Sequence, residues 1–168
     1  MKKFVFVTGL ALFLHSCSYA ISPEFTSQAD QTLSLALIQQ EPAVHAGKLA
    51  ILGGIIIAIT NTDHGTLLEV EQRPLDYWGR PLRTKRTDGR FLLLHPALLN
   101  AFLYAPGREI TAAAEVAEAS SPALENSNAR YPTLRSKELK LWREEKSAAT
   151  SPRWLDPLYD PYGSMRTQ

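Results

Sequence analysis

One long apolar segment with two adjacent glycines limits the fold of this chain more than any other feature. Residues 48–60 carry leucine or isoleucine at more than half of the positions, and isoleucine in particular favours a β-strand. Gly53 and Gly54 lie inside the segment, and glycines within a strand are typical of a bulge or a sharp bend. Because a small closed sheet needs such bends at its corners, the segment predicts one strand of a curved sheet.

Alternating polar and apolar residues predict the second strand at residues 66–72. Leu68 and Val70 face one way while Glu69 and Glu71 face the other, as in a strand with one buried face. Turn-forming residues between the two segments predict a hairpin. Further strands are predicted at residues 89–94 and 108–116. Residues 134–142 could form either a strand or a helix, because alternating leucines stand among good helix formers.

Short helical segments are predicted at residues 30–39, from Pro42 to Gly47, and as a turn at residues 96–103. Five strands with a helical insertion before the fourth are typical of OB-like barrels. We therefore predict a mainly β fold, a small OB-like, partly open five-stranded barrel with short helical insertions.

The N-terminus has the pattern of a bacterial secretion signal. Lys2 and Lys3 precede an apolar run at residues 4–14, which is far shorter than the roughly 20 residues that cross a bilayer as a helix. Cys17, the only cysteine, follows Leu14-His15-Ser16. A lone thiol in an exported protein has no partner for an internal disulfide, so its position favours lipid attachment at a lipobox.

Ordinary secretion is the alternative at this site. His15 is unusual in a lipobox, and cleavage after Ser18-Tyr19-Ala20 would discard Cys17 and give a mature chain that starts at Ile21. The direct junction of Cys17 with the apolar run favours lipidation.

Four parts of the chain follow from these patterns. They are a lipoprotein signal peptide at residues 1–16, a lipid-anchored tether at 17–30, the OB-like barrel domain at 31–146 and a Pro/aromatic-rich tail at 147–168. The tail contains Trp154, Tyr159 and Tyr162 among prolines and is expected to pack on the barrel rather than stay free for a partner.

Composition excludes several classes of function. A formal net charge of +1 gives no overall attraction to nucleic acid, and 45% hydrophobic residues exclude a disordered chain. Four histidines are scattered without the spacing of metal ligands, so we expect no metal and no cofactor.

Several short motifs together resemble the starvation-inducible outer-membrane lipoprotein (Slp) family of Gram-negative bacteria. The resemblance runs through Glu41-Pro42, Gly47-Lys48, Gly53-Gly54, Thr66-Leu67-Leu68-Glu69-Val70, Pro74-Leu75-Asp76, Gly79 with Pro81, Gly89-Arg90-Phe91, Pro106-Gly107-Arg108-Glu109-Ile110-Thr111, Tyr131-Pro132 and Leu141-Trp142. This chain departs from the family pattern at His45 and at residues 117–130, which contain no glycine.

The resemblance implies a lipid-anchored protein of the outer membrane that faces the periplasm and is associated with starvation or acid stress. It carries over no catalytic or ligand residue.

Two histidines are the candidates for catalysis. A secreted periplasmic hydrolase would use His64, beside Asp63, or His95 as its base. No glycine-flanked serine accompanies them in the sequence, and a hairpin turn explains the pair Asp63-His64 better than catalysis does. We therefore expect a protein that is not an enzyme, with the hydrolase as the alternative.

A basic loop with aromatic residues is the candidate binding surface. It consists of Tyr77, Trp78, Arg80, Arg83, Lys85, Arg86 and Arg90. OB-like barrels bind extended anionic polymers through such loops, which in this compartment favours lipopolysaccharide, peptidoglycan or an anionic protein over nucleic acid. The alternative is a solvated loop whose arginines pair with nearby carboxylates.

Overall fold

The structure, a computed structural model of the chain, describes residues 19–63, 65–118 and 131–144. The predictions that concern Cys17, His64, residues 119–130 and the tail at 147–168 lie outside the described residues.

Five strands form a closed barrel in the order β1-β2-β3-β5-β4, with β4 returning to β1. The strands are β1 (Leu49–Thr62), β2 (Gly65–Gln72), β3 (Arg90–His95), β4 (Glu109–Val116) and β5 (Thr133–Leu141). Only the pairing of β3 with β5 is parallel among these neighbours. The predicted mainly β, five-stranded, OB-like barrel is confirmed, and its ring of strand pairs closes where a partly open barrel was expected.

The segment for which the sequence allowed either a strand or a helix, residues 134–142, forms the strand β5. β5 pairs with β4 from Leu134, opposite Val116, to Leu141, opposite Ile110. Leu134 is buried in the core, and Leu139 and Leu141 pack against it. Pairing with two neighbouring strands therefore outweighs the local helix propensity of the lysines and glutamates.

The two glycines of β1 allow three strands to come together. Gly54 is opposite Ile110 of β4 and also opposite Gln72 of β2, so that both edges of β1 are occupied there. A Cβ atom at Gly54 would lie 2.8 Å from the backbone carbonyl carbon of Glu71. The irregularity in pairing lies further along β1, between Ile56 and Ala58. The glycines therefore allow the neighbouring strands to approach β1 closely and do not form the bulge itself.

The main core fills the barrel. Its largest members that are fully buried include Phe91 of β3, Ile56 of β1 and Leu68 of β2, and α2 adds Leu35 and Ile38. Burial of large apolar side chains from all five strands is the principal source of stability.

Three short helices precede the barrel: α1 (Pro23–Gln28), α2 (Leu35–Gln40) and α3 (Pro42–His45). α3 lies where Pro42 and Gly47 predicted it. The helix predicted from Asp30 begins only at Leu35, because the Ser34 hydroxyl caps it by accepting from the Leu37 N–H.

The helical turn predicted before β4 is a single turn at residues 101–104, in which the Asn100 carbonyl accepts from the Tyr104 N–H. Within the described ranges, no helix is long and apolar enough to cross a membrane.

Residues 19–30, for which the sequence predicted a tether, include α1 and pack on the barrel. Ala20 and Ile21 are buried against Ala113 on the outer face of the barrel, and Phe25 of α1 packs against the same cluster. The outer faces of β1 and β4 carry apolar side chains that need a cover, and the N-terminal segment supplies it. The folded part therefore includes Tyr19, two residues after Cys17.

Candidate functional site

The basic loop joins β2 to β3 and is held against the barrel by its own backbone. The Thr111 hydroxyl donates to the Gly79 carbonyl at 2.6 Å. The Asp76 carboxylate accepts from the Trp78 and Arg80 N–H groups, each at 2.8 Å. A buried threonine of β4 and one aspartate thus fix the position of residues 76–80.

Two arginines of the loop share one carboxylate. Arg80 Nε donates to Glu109 Oε2 at 2.7 Å, and Arg83 Nε donates to Glu109 Oε1 at 3.2 Å. The Arg80 guanidinium also lies 5.5 Å from the ring centroid of Trp142, in the range of a cation–π contact. Both arginine side chains are therefore paired with a carboxylate.

Arg90 is paired as well. Its Nη1 donates to Glu69 Oε1 at 2.8 Å across the β2–β3 pair, and this hydrogen bond raises the pKa of Arg90. Lys85 and Arg86 are exposed and form no ion pair within the described part of the chain. The predicted cationic surface therefore divides into three paired arginines and two cations open to solvent.

A groove of ≈ 220 Å³ opens beside the paired arginines. It is lined by Arg80, Arg83, Gly107, Arg108, Glu109, Trp142, Arg143 and Glu144. Four of these side chains are cationic and two are anionic, so the groove favours an anionic group.

Arg108 and Trp142 belong to this groove, although the sequence pointed to them only as parts of the family motifs and not as site residues. Arg108 Nη2 donates to the Trp142 carbonyl at 2.9 Å, and the Trp142 indole N–H donates to the Thr111 hydroxyl at 2.9 Å. These partners are 34 and 31 residues apart, so no local spacing could have signalled them.

The two aromatic residues of the loop form a cluster with Tyr19. The ring centroids of Tyr77 and Trp78 are 5.1 Å apart, and those of Tyr19 and Trp78 are 5.6 Å apart. The hydroxyl oxygens of Tyr19 and Tyr77 are 3.2 Å apart, within hydrogen-bond distance. We call Tyr19, Tyr77 and Trp78 the aromatic cluster. The sequence identified two of its members and placed the third in a tether.

Of the two candidate bases, His95 lies in the described part of the chain, at the end of β3. Its Nδ1 accepts from the Ala97 N–H at 3.2 Å, a contact within its own loop. Asp63, in the β1–β2 turn, is exposed. Among the described residues, no group of three or more His, Cys, Asp or Glu side chains could hold a metal ion.

Comparison with known families assigns the chain to the outer membrane lipoproteins. Within this class it belongs to the outer membrane lipoprotein Slp family, whose model matches residues 14–167. Outer membrane protein Slp of Escherichia coli (strain K12) is 28% identical to it over 105 residues, which cover 62% of this chain and 56% of that protein. The match thus spans little more than half the length of this relative, and the resemblance predicted from the sequence motifs is confirmed.

Proposed function

We propose that the protein is anchored to the outer membrane by lipid on Cys17, faces the periplasm, and has a structural or binding role in the starved or acid-stressed envelope. The observation that carries the anchor is the position of Cys17, which follows the apolar run and falls inside the residues that match the lipoprotein family. We assign the protein no catalytic step.

The anchor is tested by expressing the full chain in a Gram-negative host and measuring the intact mass and membrane fraction of the product. An acylated N-terminal Cys17 in the outer membrane is the expected result. Cys17→Ala should release the protein, whereas the neighbouring Ser18→Ala should remain anchored. A soluble product that starts at Ile21 would refute lipid attachment.

The binding role rests on the groove beside the basic loop. An excess of arginine over glutamate around a concave surface, with the Trp142 ring in its wall, suits the phosphate or carboxylate groups of envelope polymers. Lys85 and Arg86 extend the positive charge beyond the groove on the same loop. We therefore propose that an anionic envelope component, such as lipopolysaccharide or peptidoglycan, binds here.

Binding is tested by titrating the mature protein with lipopolysaccharide and, separately, by sedimentation with peptidoglycan sacculi. The variant Arg83→Glu combined with Arg143→Glu should weaken binding to the true component and reduce its salt dependence, because both side chains are exposed members of the groove. Arg135→Glu combined with Lys48→Glu changes two exposed sites that do not line the groove, and it is the control with the same change in net charge. Unchanged binding to both polymers would refute the groove as the contact.

A further inference from the structure

The aromatic cluster lies on the protein surface. Tyr77 is 78% exposed, Tyr19 52% and Trp78 46%, and their rings contact one another on the protein surface. Grouped exposed aromatic side chains mark surfaces that meet a partner or a membrane.

Covalent connection decides which partner this cluster meets. Two Cα-to-Cα steps separate Tyr19 from Cys17, so their Cα atoms are at most about 7 Å apart. A lipid on Cys17 would therefore hold the cluster at the membrane surface whatever the conformation of Ser18. We propose that the aromatic cluster lies in the headgroup region of the phospholipid bilayer and fixes the orientation of the barrel on the membrane. This inference rests on the proposed lipid anchor.

The chemistry of the three side chains fits the headgroup region. Tyrosine and tryptophan present an apolar ring and a polar hydroxyl or N–H, and this combination concentrates them at the membrane–water interface. The hydroxyl oxygens of Tyr19 and Tyr77 lie within hydrogen-bond distance of each other, and both rings are exposed on the protein surface. The exposed cations Lys85 and Arg86 on the same loop suit lipid phosphates.

The cluster is also fixed to the barrel, as an orienting contact must be. The Ala20 N–H donates to the Trp78 carbonyl at 3.1 Å, and Ile21 is buried against the outer face of the barrel. A Cβ atom on Gly79 would lie 2.8 Å from the Ala20 Cβ, which shows how closely the two segments pack. The cluster and the barrel must therefore turn together relative to the membrane.

Another exposed apolar loop shows why exposure alone does not select the membrane contact. Phe102 is 92% exposed and Leu98 is 70% exposed in the segment between β3 and β4. This loop follows β3, far along the chain from Cys17, and its Leu99 N–H donates to the Thr66 hydroxyl of the β1–β2 hairpin. The short connection to Cys17 distinguishes the aromatic cluster.

The single cysteine allows a direct test with a spin label. In the acylated protein the Cys17 thiol is blocked, so the variant Tyr77→Cys would carry one nitroxide at the cluster. Asp63→Cys is the matched control, because this exposed turn residue lies at the other end of β2, about 25 Å away along the strand. Both proteins are reconstituted in vesicles of phosphatidylethanolamine and phosphatidylglycerol, and collision of the nitroxide with oxygen and with a water-soluble nickel complex is measured.

We expect the label at position 77 to lose most of its collisions with nickel and to gain collisions with oxygen when vesicles are present, while the label at position 63 keeps its collisions with nickel. A label at position 77 that is as open to nickel as that at position 63 would overturn the inference. Shielding at position 77 in the Cys17→Ala chain without vesicles would also overturn it, because a segment of the protein itself, or a second copy, would then cover the cluster.

A second measurement leaves the cluster almost intact. Brominated phospholipids should quench part of the tryptophan fluorescence of the reconstituted wild-type protein, and that part should be lost in Trp78→Phe. Equal quenching in both proteins would contradict the inference. Two other results would show that the lipid anchor itself has failed. Two nitroxides per chain in Tyr77→Cys would mean that the Cys17 thiol is free, and an intact mass that fits a chain starting at Ile21 would mean that Cys17 has been removed.

Discussion

The Arg80 guanidinium is held between the carboxylate of Glu109 and the ring of Trp142. Its Nε lies 2.7 Å from Glu109 Oε2, and its central carbon lies 5.5 Å from the Trp142 ring centroid. Arg80 belongs to the β2–β3 loop, Glu109 begins β4 and Trp142 follows β5. One side chain thus connects three parts of the barrel next to the proposed binding groove.

We predict that Arg80→Met destabilises the fold by about 2 kcal/mol, the size of a hydrogen bond to a charged group that is largely removed from water. The side chains of Arg80 and Glu109 are only 20% and 12% exposed, so solvent replaces the lost contact poorly. The free energy of unfolding, measured by denaturant titration of the Cys17→Ala chain, checks this value.

Arg83→Met is the matched control for Arg80→Met. Arg83 pairs with the same carboxylate but its side chain is 55% exposed, so its loss should cost no more than about 0.5 kcal/mol. Equal losses for the two variants would mean that burial does not set the strength of these ion pairs.

A second prediction concerns the crossing of strands at Gly54. Gly54→Ala should cost at least about 3 kcal/mol, because the added methyl group meets the backbone of Glu71 and lies 3.0 Å from the Gln72 Cα. Strand backbone cannot rotate away as a side chain can. Thermal unfolding and the yield of folded protein measure the effect.

Gly47→Ala separates steric conflict from backbone strain. Gly47 has φ +79°, but a Cβ atom there would meet no atom within 4 Å. Only the cost of a left-handed conformation remains, about 1 kcal/mol. If Gly54→Ala is as mild as Gly47→Ala, the strands do not approach as closely as described.

Local sequence patterns were sufficient for four of the five strands, but not for β5 or for the surface that surrounds the barrel. Alternation at β2 and the glycines of β1 depend on residues that are adjacent in the chain, so they predicted the barrel. The helix propensity of β5 conflicted with its alternating pattern, and only pairing with β3 and β4 decided the outcome. Tyr19 was assigned to a tether because its partner Tyr77 is 58 residues away.

The groove was beyond sequence reasoning for the same physical reason. Its arginines come from the β2–β3 loop, from the residue before β4 and from the segment after β5, and closure of the barrel brings these segments together. The sequence did identify Arg80 and Arg83, because they lie in one run of basic residues. It could not show that Glu109 binds both of them.

A third prediction concerns pH. The Thr32 hydroxyl and N–H both donate to Asp30 Oδ1, at 2.6 and 3.0 Å, and these hydrogen bonds lower the pKa of Asp30. A carboxylate with a lowered pKa in the folded state stabilises the protein above its unfolded pKa of about 3.9, and this contribution is lost as pH falls through the folded value. Asp30 should therefore leave stability unchanged from neutral pH to about pH 5.

Thr32→Val removes the hydroxyl donor and should raise the pKa of Asp30 toward its ordinary value, moving the onset of acid unfolding to higher pH. Titration of the Asp30 carboxyl by NMR measures the shift directly. Thr26→Val is the control, because the Thr26 hydroxyl donates to the Ser22 carbonyl and not to Asp30. An unchanged pKa in Thr32→Val would show that the hydroxyl does not hold the carboxylate in solution.

The last prediction tests whether the segment after Cys17 is folded. Ile21 is 4% exposed and packs with Ala113 on the outer face of β4, so Ile21→Ala should cost about 2–4 kcal/mol. Leu37→Ala is the control, since Leu37 is 41% exposed and should lose less than about 1 kcal/mol. Denaturant titration of both variants in the Cys17→Ala chain measures the difference.

If Ile21→Ala is as mild as Leu37→Ala, residues 19–30 behave as the tether that the sequence predicted. The barrel would then move freely on a linker of about a dozen residues, with a reach of roughly 20 Å, and the aromatic cluster would not be held at the membrane. A large loss of stability in Ile21→Ala means instead that the folded part extends to within two residues of Cys17. The short covalent connection would then keep a lipid on Cys17 next to the surface of the barrel.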